Sequence, residues 1–164
     1  MDRNQYSNLL TSKKFWNQID GEHILIFQTD SCLCQRSNYP WSLYLQYGYV
    51  GGPFRTSSDK SNPLPDDIVY QNGGFSLRRK SLMLKAINDK KPGENTWPED
   101  YWFSQTKRDI TKPAPYSMAK SFAIEGLYTG QHPLGIHKPW DYLQPKQLNS
   151  LRQQCPEIRT IFGK

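Results

Sequence analysis

The chain has 164 residues and a formal net charge of +6, with 36% hydrophobic and 13% aromatic residues. That length suits one domain, residues 1–164, and leaves little room for a second. The low apolar share means that Trp, Tyr and Phe must build much of the core. No apolar run approaches the ~20 residues of a membrane span.

Leu9, Leu10, Phe15, Trp16 and Ile19 recur at roughly helical spacing, so a helix is expected from Tyr6 to Ile19, closed by Asp20-Gly21. His23-Ile24-Leu25-Ile26-Phe27 is a continuous apolar run and reads as a buried, parallel strand ending at Gln28-Thr29-Asp30. In open α/β sheets ligands bind beyond the carboxyl ends of strands, which puts Asp30 where a functional carboxylate is expected. Tyr47 to Phe54 reads as a short strand with a glycine turn, and Arg55 to Pro65 as a polar loop. Asn72-Gly73-Gly74 reads as a turn before a strand at Phe75–Arg78, followed by a helix at Ser81–Asn88. Pro98-Glu99-Asp100 opens a helical segment over Tyr101–Thr106, its acids suited to the first turn. Ser121–Ile124 is expected to be a strand, Gln131–Trp140 a loop, and Pro145–Gln153 a closing helix. Cys32, Cys34 and Cys155 match no disulfide framework or metal-site spacing; they are expected to be free, which favours a reducing, cytoplasmic setting.

Four stretches carry chemistry, each with a plainer alternative. Asp30 can hold a divalent cation that bridges a diphosphate, or cap the turn that follows it. The two glycines at 73 and 74 let a ligand or another strand approach the backbone, or make an ordinary hairpin. Glu99 and Asp100 can supply a general base, or simply cap a helix. His132, His137 and Lys138 lie in a loop fixed by Pro133, Gly135 and Pro139; imidazole can ligate a metal, and Lys can neutralise a leaving phosphate. The basic residues are scattered, and no nucleic-acid module is recognisable.

The order of these stretches, from Tyr6 to Trp140, resembles a domain-of-unknown-function family of glycosyltransferase-like proteins, itself similar to GT-A fold glycosyltransferases. The segments that carry the resemblance are Ile24–Ser31, Tyr49–Pro53, Asn72–Arg78, Pro98–Asp100 and Gly135–Trp140. Gln28-Thr29-Asp30 is similar to the Asp-x-Asp metal motif with Gln in place of the first Asp. The resemblance implies Asp30 as metal ligand and Gln28 as a contact to ribose or donor sugar. It implies that Asn72, Gly73 and Gly74 lie along the sugars, that Asp100 is the base with Glu99 beside it, and that Lys138 meets the diphosphate. The His-x-x-Gly-x-x-Lys-Pro-Trp pattern of glycogenin-like enzymes selects His132 as a further metal ligand, whereas the first family points to His137, which is preferred here.

The implied fold is α/β, a GT-A-like mixed sheet flanked by helices. Most of the N-terminal segment that cradles the nucleotide in that fold is missing before His23. The chain is therefore expected to be a fragment, to borrow the cradle from a partner segment, or to have lost nucleotide binding. The implied activity is sugar transfer from a nucleotide-sugar to a saccharide or glycoconjugate acceptor, assisted by Mn or Mg. The alternative is a non-catalytic carbohydrate-binding or scaffolding descendant of the same fold. Nucleic-acid binding rests on the net charge alone and is not expected.

Overall fold

The computed structural model describes residues 1–54 and 70–162, so the loop expected over Arg55–Pro65 lies outside the described residues. The fold class is mixed α/β, and the described residues form two three-stranded sheets with surrounding helices.

The expected first helix is two: α1 (Arg3–Leu10) and α2 (Lys13–Asn17). The break has a local cause. Thr11 Oγ1 donates to the Ser7 carbonyl at 2.8 Å and ends α1, while the Ser12 side chain accepts from Lys14 N–H and starts α2. Asp2 and Gln5 form a reciprocal capping box that fixes the start of α1.

The first sheet has the order β1 (His23–Phe27), β4 (Tyr70–Arg79), β3 (Tyr49–Phe54), all antiparallel. This corrects the expectation of a buried parallel strand at His23–Phe27. Among the described residues β1 pairs with β4 only, and Phe27 at its end is 66% exposed. Its residues alternate between two cores, Ile24 packing toward Trp16 and Met83, and Leu25 toward Val50 and Phe75. A strand covered on both faces reads as an unbroken apolar run whether it is central or at an edge.

Asn72-Gly73-Gly74 is also corrected: it lies inside the ten-residue β4 rather than in a turn. Packing overrides the Asn-Gly turn preference, because β4 is the central strand and is buried along most of its length. It leads directly into α3 (Lys80–Asn88), close to the expected helix. α4 (Glu99–Tyr101) continues as a π-helical turn over Trp102–Thr106, and α5 (Arg108–Thr111) follows.

The second sheet has the order β2 (Ser31–Leu33), β6 (Gly135–His137), β5 (Ala123–Ile124), with β5 and β6 parallel. Residues 121 and 122 end α6 (Tyr116–Phe122) instead of starting the strand, and the expected loop from Gln131 contains β6. α7 (Pro145–Gln154) is the expected closing helix, and α8 (Ile158–Phe162) follows it.

Cys34 and Cys155 form a disulfide with Cα atoms 4.9 Å apart, and Cys32 alone is free. The expectation of three free thiols is thus corrected, and with it the argument for a reducing compartment. A sequence separation of 121 hides the pair from any reading of local spacing. The bond ties the end of β2 to the end of α7 in a core shared with Ile124, Ile136 and Leu151. Among the described residues no helix is long and apolar enough to cross a membrane.

Candidate functional site

The two sheets meet where β4 crosses β6, and the meeting point is set by glycine. A Cβ at Gly74 would fall on the ring of His137, so β4 can approach β6 this closely only with hydrogen at that position. The same logic holds at Gly73, where a Cβ would come 2.5 Å from Arg78 Nη2 and 2.7 Å from Glu99 Oε1. A cleft of about 840 Å³ opens beside this crossing. It is lined by Gln28, Asp30, Asn72, Gly73, Gly74, Glu99, Asp100, His137 and Lys138, with Met1, Asp2, Arg3 and Tyr6 of the N-terminal segment closing one side. His132 does not line it.

His137 is the hub. It is 3% exposed, and its Nε2 lies 3.0 Å from Gln28 Oε1 and 3.2 Å from Asp30 Oδ1. Its Nδ1 lies 3.3 Å from Oε2 of Glu125, a buried carboxylate directly after β5. Among the described residues neither that nitrogen nor either Glu125 oxygen has a hydrogen bond of ordinary geometry. With Nε2–H donating to Gln28, a proton between Nδ1 and Glu125 turns the second contact from repulsive to attractive. Burial pushes the Glu125 carboxyl above its ordinary value, and His137 opposes that rise. Glu125 is not among the candidates that the sequence marks. A lone Glu after a two-residue strand has no pattern to mark it.

Asp30 is held by its backbone: its carbonyl accepts from Lys138 N–H at 3.0 Å, which sets Lys138 beside it at the cleft wall. Asp30 Oδ1 is buried and, among the described residues, has no hydrogen-bond partner of ordinary geometry, His137 Nε2 lying 3.2 Å away. Gln28 N–H donates to the Gly74 carbonyl at 2.8 Å, and Ser31 Oγ donates to the same oxygen at 2.9 Å, so β1 and β2 are both anchored at Gly74. Among the described residues no group of three or more His, Cys, Asp or Glu side chains is set to hold a metal ion.

The acid pair divides. Glu99 Oε1 accepts from Arg78 Nη2 at 2.8 Å, and Arg78 is fully buried between the rings of Tyr49 and Phe103. Burial raises the Glu99 carboxyl above its ordinary value, while the guanidinium opposes the shift. Asp100 instead accepts two backbone N–H bonds, from Gly73 at 3.1 Å and from Tyr101 at 2.8 Å, one on each oxygen. Each carboxylate oxygen keeps a lone pair for another donor.

A sequence family described as a protein of unknown function (DUF5672) matches residues 1–137. The chain belongs to the DUF5672 family. The match takes in the cleft residues from the N-terminal segment to the His137 hub and stops one residue before Lys138. No curated protein and no solved structure matches the chain.

Proposed function

We propose that this protein transfers a sugar from a nucleotide-sugar donor to an acceptor hydroxyl within the 840 Å³ cleft. What supports the reading is the meeting, around one opening, of a cationic end at Lys138 and an oriented carboxylate at Asp100. The GT-A-like architecture belongs to the same proposal and rests on the motif order described above.

The acceptor hydroxyl gives its proton to the Asp100 carboxylate as its oxygen forms a bond to the sugar's anomeric carbon. The bond from that carbon to the diphosphate breaks, and the leaving nucleoside diphosphate carries away the electron pair. Lys138 offsets the charge that develops on it. Asn72, Gly73 and Gly74 lie on the cleft wall, along which the sugars would pass. A bound Mn²⁺ or Mg²⁺ would neutralise the diphosphate; Asp30 would be its ligand, whereas His137 Nε2, whose proton goes to Gln28, would not. Glu99 is assigned no chemical step, because its charge is committed to Arg78.

The test is a panel of sugar-nucleotides with Mn²⁺, followed for donor hydrolysis, transfer and binding. Turnover with at least one donor is expected; no turnover and no binding from folded protein would remove the proposal. One observation favours a second reading, a carbohydrate-binding module without catalysis. Gln28 replaces a carboxylate and its amide oxygen is already engaged with His137. Saccharide binding without any affinity for nucleotide-sugars would select it.

A further inference from the structure

The sequence puts an unusual number of rings beside the cleft. Phe54 ends β3 and Tyr70 begins β4, and the strand register sets them opposite each other with ring centroids 5.7 Å apart. Tyr142 continues the contact on one side, 5.0 Å from Phe54, and Tyr101 on the other, 5.7 Å from Tyr70. Phe54, Tyr70 and Tyr142 line the cleft, while Tyr101 carries the run beyond it. Tyr142 is 42% and Tyr101 44% exposed, and Trp97, another cleft residue, is 49% exposed.

We propose that the exposed rings of Tyr142 and Tyr101, held at steep angles against Phe54 and Tyr70 between them, are a stacking subsite for an acceptor saccharide of two or more pyranose units. The assignment to the acceptor rests on the sugar-transfer reading above. The C–H face of a pyranose packs on an aromatic ring while its hydroxyls reach for polar neighbours, and here both are supplied together. The run adjoins the carboxylate assigned as base: Tyr101 follows Asp100 and its N–H donates to it. Burial first, and then the Asp100 carboxylate, hold the Tyr70 hydroxyl above its ordinary value, so Tyr70 remains a neutral donor. A protein or lipid partner would favour an apolar patch without carboxylates in its floor. The length follows from the path: rings that begin inside the cleft and continue outside it serve a chain, not a single sugar.

The experiment uses the full chain and a panel of gluco-, manno-, galacto- and N-acetylglucosamine saccharides of one to four units, read by NMR shifts of the tyrosine rings and by titration. At least one oligosaccharide should bind and shift Tyr101 and Tyr142, more tightly than its monosaccharide. Tyr142→Ala and Tyr101→Ala should each weaken it roughly two- to tenfold, Tyr142→Phe should retain most of it, and Trp41→Ala, an exposed aromatic away from the cleft, should leave it intact. Where transfer is measurable, the alanine variants should raise the acceptor KM and leave the donor KM unchanged. Saccharide binding that depends on the tyrosines, without transfer, sinks the sugar-transfer reading and keeps the stacking site. Transfer with an unchanged acceptor KM, equal affinity for mono- and oligosaccharide, a shift in the donor KM instead, or no binding by any panel member overturns the proposal.

Discussion

Replacing Gly74 by alanine tests whether the β4–β6 crossing is as tight as the site requires. In an ordinary strand the change is stabilising, because alanine loses less backbone freedom on folding than glycine. Gly74 has no positive φ that would forbid a side chain. The added Cβ nevertheless lands on Nδ1, Cε1 and Nε2 of His137. That ring cannot retreat, since it is 3% exposed and wedged among Gln28, Asp30 and Glu125 at 3.0, 3.2 and 3.3 Å. Overpacking of this kind costs about 1–3 kcal/mol, which lowers the melting temperature of a chain this size by roughly 2–12 °C. The assay is a thermal melt of a double-mutant cycle with His137→Ala. In the His137→Ala background the Gly74→Ala penalty should vanish or change sign. A single variant that melts with the wild type, or a penalty undiminished in that background, refutes the reasoning.

Glu99→Ala strands the fully buried Arg78 without its partner and should cost about 3–5 kcal/mol, read by chemical denaturation; Glu99→Gln, which keeps an acceptor, should cost less. Because burial raises the Glu125 carboxyl, the native state favours its protonated form, so its contribution is complete below the unfolded value and is lost as pH rises through the folded one. Melting curves across the acid range should show that loss, and Glu125→Gln should flatten it. Thiol titration under denaturing, non-reducing conditions should count one free cysteine, Cys32, and Cys155→Ser should lower stability by about 2–5 kcal/mol.

Local features were legible in the sequence where a short segment determines them by itself. The helix after β4 announces itself by spacing, and the acids at 99 and 100 by their place at a helix start. Asp30 is legible just past an apolar run although the run's antiparallel pairing is not, since a run's end is visible in sequence and its partner is not. What the sequence could not display is what depends on distant partners. The neighbour of β1 is β4, whose register pairs Phe27 with Phe75 across a gap containing all of β2 and β3. Glu125 acquires its importance only from His137, and Cys34 only from Cys155. Glu99 and Asp100 look alike in sequence, yet Arg78 claims one and backbone amides hold the other. Between His137, preferred on the resemblance, and His132, β6 carries His137 to the cleft and leaves His132 off its wall.

Asp100 as the base makes the most direct demand on the account. Asp100→Asn keeps the side chain's size and an acceptor oxygen for one of the two backbone amides, but removes the charge that takes the proton. Transfer from an accepted sugar-nucleotide should fall by about 10²–10⁴-fold in kcat, with donor affinity measured by titration unchanged. A variant that transfers sugar at the wild-type rate, or a folded wild-type chain that neither binds nor turns over any sugar-nucleotide, would contradict the account.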